Sequence, residues 1–146
     1  MMAKEVYMDS SFVLSHLLND EHTDEARTKI DGLAVSGKIS ELVLLEFHNM
    51  LRRKVGSDGF GSPHAERVIR ELEEQIEAGW FEVVSVDWCR VWQRAMGLSS
   101  RYASELKVRS LDILHVAFAM ESGHKMFWTF DKRQRALAEA TGLCVD

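Results

Sequence analysis

The sequence predicts an α/β protein in which a parallel sheet of about five short strands is covered by helices on both faces. Short apolar runs that are typical of buried strands alternate along the chain with longer segments whose apolar residues recur at helical spacing. Alternation of this kind is typical of parallel sheets, because each helix carries the chain back to the next strand. No repeat or flexible linker divides the 146 residues, so we expect one domain, residues 1–146.

The elements can be assigned in order from these patterns. The predicted strands are 6–8, 38–40, 80–86, 126–130 and 143–145. The predicted helices begin near residues 11, 23, 41, 62, 88, 110 and 132. Ser10 or Ser11 is expected to cap the first helix, and Asp87 the helix that follows the third strand.

Composition restricts the function classes. Hydrophobic content of 46% and charged content of 28% are ordinary for a globular protein. No apolar run approaches the ~20 residues of a membrane helix, and no basic and apolar signal segment opens the chain, so we expect a cytoplasmic protein. Because the net charge is −5, a nucleic-acid partner needs a local basic face. Cys89 and Cys144 lack metal-ligand spacing and are predicted to be reduced core thiols.

Acidic residues at the junctions between predicted elements are the candidate functional groups. Asp9 and Asp131 each follow a strand, Asp112 opens a helix, and Glu46 lies about one turn into a helix. Taken singly, Asp9 is more simply a helix cap and Glu46 an exposed glutamate. Taken together, the four acids can meet at the edge where parallel α/β sheets bind ligands.

Four crowded carboxylates repel one another and resist ionisation, and a hard divalent cation removes that conflict. Mg²⁺, with Mn²⁺ as the alternative, prefers such oxygen ligands and keeps several waters. A cation of this kind suits phosphoryl chemistry, because it neutralises the phosphate and lowers the pKa of a bound water. Ser11 and Thr129 are placed to hydrogen-bond and orient the acids.

Several sequence elements together resemble the PIN-domain family, and within it the VapC-like toxins of toxin–antitoxin pairs. The elements that carry the resemblance are 9–11, the run from Ser40 to Glu46 that leads into Leu51-Arg52-Arg53, 112–117 and 129–131. The Asp-x-x-His-x-Ala and Thr-x-Asp elements are the most specific when found together, and the matches span nearly the whole chain.

The resemblance implies a Rossmann-like three-layer fold and a Mg²⁺- or Mn²⁺-dependent endoribonuclease whose products carry a 5′-phosphate and a 3′-hydroxyl. Asp9, Glu46, Asp112 and Asp131 match the family's acidic cluster as catalytic and metal-binding residues, with Glu41 as a rival for the second position. His115 is a supporting residue that either faces the site or bonds a group inside the protein, and the second role is favoured. An antitoxin partner and a homodimer are also implied.

Basic residues near the acids are candidates for contacting the RNA backbone. They are Arg52, Arg53, Lys54, Arg101, Lys107, Arg109, Lys132, Arg133 and Arg135, and at least half are expected to be solubilising surface instead. Two alternatives stay open: a non-catalytic module that binds metal or RNA, and a PIN nuclease of RNA processing outside a toxin–antitoxin pair. A receiver-like signalling domain ranks lower, because the chain stops at Asp146 before a lysine that would follow its last strand.

Overall fold

The computed structural model describes residues 4–146 and contains one parallel sheet of four strands. The strands are β1 (Val6–Met8), β2 (Gly37–Ile39), β3 (Phe81–Val83) and β4 (Met126–Trp128), in the spatial order β3-β2-β1-β4. β1 is therefore an inner strand, paired with β2 on one side and with β4 on the other. All three of its residues are fully buried, as expected for a strand covered on both faces.

Seven helices connect and cover the strands described in residues 4–146. They are α1 (Ser10–Leu17), α2 (Thr23–Asp31), α3 (Glu41–Lys54), α4 (Ser62–Glu77), α5 (Trp88–Leu106), α6 (Ser110–Glu121) and α7 (Lys132–Ala140).

The helices lie on both faces of the sheet, which the alternation of side chains along β1 and β4 makes visible. Tyr7 stacks on its strand partner Phe127 and packs against Phe118 of α6. The next pair, Met8 and Trp128, points the other way, and Trp128 packs against Phe12 of α1. The predicted α/β architecture is confirmed.

The edges of three predicted elements differ from the structure. The expected strand 143–145 is reduced to one bridge between Cys144 and Met126, and it follows Gly142, whose φ of 88° turns the chain out of α7. The third strand covers only Phe81–Val83 of the predicted 80–86. The first helix is capped by Asp9, one residue before the predicted serines, and its carboxylate accepts from the backbone N–H of Phe12.

One expectation about burial needs correction. Cys89 and Cys144 are free thiols, as predicted, but both are exposed and neither belongs to the core. On α5, Trp88 packs against Phe118, whereas Trp92, one turn later, is 55% exposed. Within residues 4–146 the helices are all too short or too polar to cross a membrane.

Candidate active site

The carboxyl ends of the three neighbouring strands β2, β1 and β4 bring a group of polar side chains together. Asp9 directly follows β1, Ser40 follows β2 and Thr129 follows β4. Parallel strands all end at the same edge of a sheet, so these residues are neighbours although they are far apart in sequence. Asp9, Ser40 and Thr129 are all buried, and Asp9 has no exposed surface.

Asp9 is held by four hydrogen bonds from three donors. The backbone N–H of Phe12 donates to Oδ1 over 3.0 Å, and the Ser11 hydroxyl lies 2.8 Å and 2.9 Å from the two oxygens. The Thr129 hydroxyl donates to Oδ2 over 2.8 Å. Burial raises the pKa of Asp9, although the nearby His115 and these hydrogen bonds act in the opposite direction.

Ser11 and Thr129 also tie β1 to the segment after β4. Their hydroxyl oxygens lie 3.2 Å apart, the backbone N–H of Phe130 donates to Ser11 over 3.0 Å, and that of Asp131 donates to Thr129 over 2.9 Å. Both side chains therefore orient the Asp9 carboxylate, as the sequence suggested, and fix the path of the chain toward Asp131.

Glu46 lies in the second turn of α3, and its side chain reaches toward the residue after Asp9. The Ser10 hydroxyl donates to Glu46 Oε1 over 2.7 Å, and Nε2 of His115 bonds the same oxygen. Partial burial favours a higher pKa for Glu46. The hydrogen bonds from His115 and Ser10, together with the electrostatic attraction of His115, outweigh burial and lower the pKa of Glu46.

His115 is fully buried between Glu46 and the sheet. Its second ring nitrogen, Nδ1, lies 2.8 Å from the Tyr7 hydroxyl, which is 2.8 Å from the Ser40 hydroxyl. The Ser40 oxygen accepts from the backbone N–H of Val43 over 3.2 Å and thereby caps α3. A continuous series of hydrogen bonds thus connects the start of α3 to Glu46 through the core.

The other two acids of the predicted cluster have different contacts. Asp112 is 6% exposed, and its Oδ2 accepts from the backbone N–H of Arg109 over 2.8 Å at the amino terminus of α6. Asp131 caps α7 by accepting from the N–H groups of Arg133 and Gln134. Throughout residues 4–146, the structure groups no three His, Cys, Asp or Glu side chains closely enough to hold a metal ion. The four-carboxylate metal site stays a prediction.

Comparison with protein-family models shows which family the chain belongs to. The PIN domain model matches residues 6–140, which is nearly the whole chain. The chain belongs to the PIN domain family. Comparison with curated proteins gives no significant match.

Solved structures with similar folds include toxins and toxin–antitoxin complexes. VapC20 of Mycobacterium tuberculosis, described as a sarcin-ricin loop cleaving toxin, is 19% identical, with a TM-score of 0.69 over 90% of this chain and 94% of that one. The DNA-bound VapBC complex of Salmonella typhimurium is 17% identical, with a TM-score of 0.67 over 98% and 97%. FitAcB of Neisseria gonorrhoeae is 16% identical, with a TM-score of 0.65 over 96% and 95%. At these identities the similarity shows the PIN fold.

The donor groups of this PIN domain fit a hard divalent cation by their chemistry. Mg²⁺ is commonly bound through one or two carboxylates, with waters and substrate phosphates completing the shell. Asp9 is a fully buried carboxylate, and among residues 4–146 it forms no ion pair that would compensate a charge. Glu46 offers a second carboxylate whose Oε2 accepts no hydrogen bond within the described residues.

Sequence reasoning missed three members of this polar group: Tyr7, Ser10 and Ser40. Ser10 was expected to cap α1 and instead donates to Glu46, while Tyr7 was assigned only to an apolar strand. A tyrosine in a fully buried strand is itself a signal, because its hydroxyl needs a partner in the core. The identity of that partner depends on pairing across 108 residues, which sequence spacing does not reveal.

The predicted basic residues divide into paired and unpaired side chains. Arg52 lies 3.6 Å from Glu66, and Arg135 contacts both Glu139 and Asp146. Arg53 and Lys54 at the end of α3 form no ion pair within residues 4–146, and both line a groove with Leu14, Met50 and Phe60. Met50 lies one turn beyond Glu46, so this groove begins close to the candidate site.

Proposed function

We propose that this PIN-domain protein is a metal-dependent endoribonuclease that hydrolyses RNA phosphodiester bonds and serves as the toxin of a VapBC-type pair. The observation that carries the proposal is the buried Asp9 carboxylate, oriented by Ser11 and Thr129 and adjacent to the Ser10–Glu46 contact. Burying a carboxylate without a cationic partner opposes its ionisation, which is the condition that a bound cation would relieve.

Each acid has a role in the proposed reaction. Asp9 and Glu46 would hold Mg²⁺ or Mn²⁺, with Asp112 and Asp131 as the further ligands that the family resemblance implies. When bound, the cation would neutralise the scissile phosphate and lower the pKa of a water molecule. The hydroxyls of Ser11 and Thr129 orient the Asp9 carboxylate, and that of Ser10 orients Glu46. Little reorganisation would therefore accompany binding of the cation.

The proposed partners are RNA, an antitoxin protein and a second copy of the chain, in the cytoplasm. The similar solved structures include toxin–antitoxin complexes, which supports the antitoxin. Large apolar side chains at the surface, among them Leu45 at 69% and Met96 at 71% exposure, support an assembly. Light scattering is expected to give twice the chain mass. A mass equal to one chain at every concentration would contradict the homodimer.

The direct test is RNA cleavage by the purified protein with EDTA and with added Mg²⁺ or Mn²⁺. Cleavage is expected only with the cation, and the Glu46→Gln variant, purified identically, is expected to be inactive. Residual cleavage by Glu46→Gln at the wild-type rate would assign the activity to a contaminating nuclease or to other residues. Co-purification with the product of a neighbouring small gene would support the proposal that this chain is a toxin with an antitoxin partner.

A non-catalytic binding module is the second candidate, and a specific observation favours it. The Asp112 and Asp131 carboxylates each accept from a helix amino terminus, and within residues 4–146 no three His, Cys, Asp or Glu side chains are grouped closely enough to hold a metal ion. The same experiment separates the two candidates. Tight RNA binding with no turnover at any Mn²⁺ concentration would select the binding module.

A further inference from the structure

The fully buried Tyr7 and His115 lie at the centre of the hydrogen-bonded series that ends on Glu46. We propose that Tyr7 and His115 are positioning residues, which fix the Glu46 carboxylate so that one oxygen is saturated and the other is presented to a divalent cation. The proposal deepens the proposed function and rests on it.

The directions of the hydrogen bonds follow from what each group can donate. A carboxylate only accepts, so the bond between Glu46 and Nε2 of His115 requires a proton on that nitrogen. In a neutral imidazole Nδ1 is then the acceptor, and the Tyr7 hydroxyl is its donor. The Tyr7 hydroxyl is fully buried, and a phenol can donate the proton that this contact requires.

The other two hydrogen bonds of the series involve the Ser40 hydroxyl, so that every hydroxyl of the series donates its proton to a neighbour. With its own proton directed at His115, the Tyr7 oxygen accepts from the Ser40 hydroxyl. The Ser40 oxygen in turn accepts from the backbone N–H of Val43. The Glu46 carboxylate therefore determines which nitrogen of His115 is protonated, and α3 carries both Glu46 and, at its amino terminus, the capping Ser40.

The geometry leaves His115 no direct contact with a cation. Its Nε2 is occupied by Glu46 and its Nδ1 by Tyr7, and imidazole is in any case a poor ligand for Mg²⁺. Both bonds to Glu46, from His115 and from Ser10, end on Oε1. A carboxylate held by two donors on one oxygen is fixed in orientation and directs Oε2 toward a further ligand.

A buried histidine that serves only the core would also explain the contacts, and substitutions can separate the two roles. Tyr7→Phe removes only the hydroxyl and keeps the ring that stacks on Phe127. His115→Leu removes the donor to Glu46, whereas His115→Gln retains an amide donor in a side chain of similar reach. His124→Gln is the matched control, because His124 is also buried but lies before β4, at the opposite edge of the sheet.

The measurements are Mn²⁺ affinity by calorimetry on folded protein and ring-nitrogen spectra of ¹⁵N-labelled protein, both independent of RNA cleavage. The wild-type spectra are expected to show His115 protonated on Nε2. Mn²⁺ affinity is expected to fall about 10–100-fold in Tyr7→Phe and His115→Leu, the usual effect of losing an outer-shell partner. His115→Gln should recover part of the affinity, and His124→Gln should match the wild type.

Three results would overturn the proposal or its basis. A wild-type His115 that carries a proton on Nδ1, alone or together with Nε2, would exclude the assigned bond directions. Mn²⁺ affinities within twofold of wild type in both Tyr7→Phe and His115→Leu would make the two residues structural only. A wild-type protein that neither binds Mn²⁺ nor cuts RNA would overturn the proposed function, and the nitrogen spectra would then still decide whether the hydrogen-bonded series exists.

Discussion

At the scale of single residues, Asp9 combines two roles that sequence reasoning treats as alternatives. Its carboxylate caps α1 through the N–H of Phe12, and it also accepts from two hydroxyls at the centre of the sheet edge. The capping role alone requires no burial, because Asp87 caps α5 in the same way and is exposed. The full burial of Asp9 is therefore the feature that the cap does not explain.

Asp9→Asn tests this difference against Asp87→Asn as a matched control. Asparagine also caps helices, so we expect both variants to fold. RNA cleavage should fall by more than about 100-fold in Asp9→Asn, beyond the usual effect of an outer-shell change, and remain at the wild-type level in Asp87→Asn. In EDTA, Asp9→Asn should unfold at the same temperature as wild type or higher, because the buried charge is removed. Near-normal cleavage by Asp9→Asn would remove Asp9 from the proposed site.

The position of Asp9 could be predicted from local sequence, but the contacts of Glu46 could not. A short apolar run followed by an acid and a helical pattern is enough to place Asp9 at a strand end. The bond between Glu46 and His115 joins residues 69 apart and depends on how α3 and α6 pack beside β1. Spacing along the chain carries no information about that packing, so His115 could be singled out but its partner could not be named.

At the scale of elements, α6 shows how a helix start can compete with a metal site for one carboxylate. The Asp112 carboxylate accepts from the backbone N–H of Arg109 at the start of α6, and a negative charge at this end also suits the helix dipole. Asp112 Oδ1 accepts no hydrogen bond within the described residues, so a cation would meet either this oxygen or, at Oδ2, competition from the Arg109 N–H. Through the contact with Arg109, Asp112 is expected to stabilise the metal-free protein.

Asp112→Ala is expected to destabilise the metal-free protein by about 1 kcal/mol, the usual cost of a lost helix cap. Asp112→Asn, which keeps an oxygen acceptor for the Arg109 N–H, should be close to neutral. Thermal unfolding in EDTA measures both effects, and graded Mn²⁺ then tests the second role. If Asp112 is a ligand, Mn²⁺ should raise the stability of both variants less than that of wild type. For wild type, the gain in the free energy of unfolding at a free Mn²⁺ concentration ~100 times the dissociation constant is about 2.7 kcal/mol. A stabilising Asp112→Asn in EDTA would instead indicate crowded acids.

The end of α3 offers a second test at this scale, because Arg53 and Lys54 line the groove near Glu46. If RNA phosphates occupy the groove, each contact contributes to the salt dependence of binding. The Arg53→Ala/Lys54→Ala variant should bind RNA more weakly and lose about one unit of the logarithmic salt slope per phosphate contact. Binding by the catalytically inactive Glu46→Gln background can be followed by fluorescence anisotropy. Arg135→Ala in the same background is the control, since Arg135 already pairs with Glu139 and Asp146. Equal salt slopes in the Glu46→Gln background and in both further variants would exclude the groove as an RNA-binding surface.

At the scale of the whole molecule, two buried histidines and the buried Asp9 make stability depend on pH in opposite directions. Burial lowers the pKa of both His16 and His124 from the ordinary value of 6.5. His16 bonds Gln75, while His124 bonds Ser122 and lies 3.8 Å from Glu5, whose charge only partly offsets burial. Asp9 has a raised pKa, so its contribution to stability is present below the ordinary value of 3.8 and is lost as pH rises through the folded value.

The histidines have the opposite sign, which follows from proton counting. Below pH 6.5 and above the lowered pKa values, the unfolded chain binds more protons at His16 and His124 than the folded protein does. The free energy of unfolding therefore rises with pH in that window. The stability that the two neutral histidines contribute is progressively lost as pH falls below 6.5. Asp9→Asn as the common background removes the opposing contribution of the carboxylate.

Urea unfolding in EDTA between pH 8 and pH 5, a range chosen to bracket the ordinary histidine value, tests the prediction. The double variant His16→Gln/His124→Gln should lose less stability on acidification than its parent. His64→Gln is the control, because His64 is exposed on α4 and should leave the slope unchanged. If the double variant and its parent lose stability in parallel, the acid sensitivity of the protein originates in other groups, and the two buried histidines are protonated equally in the folded and unfolded states.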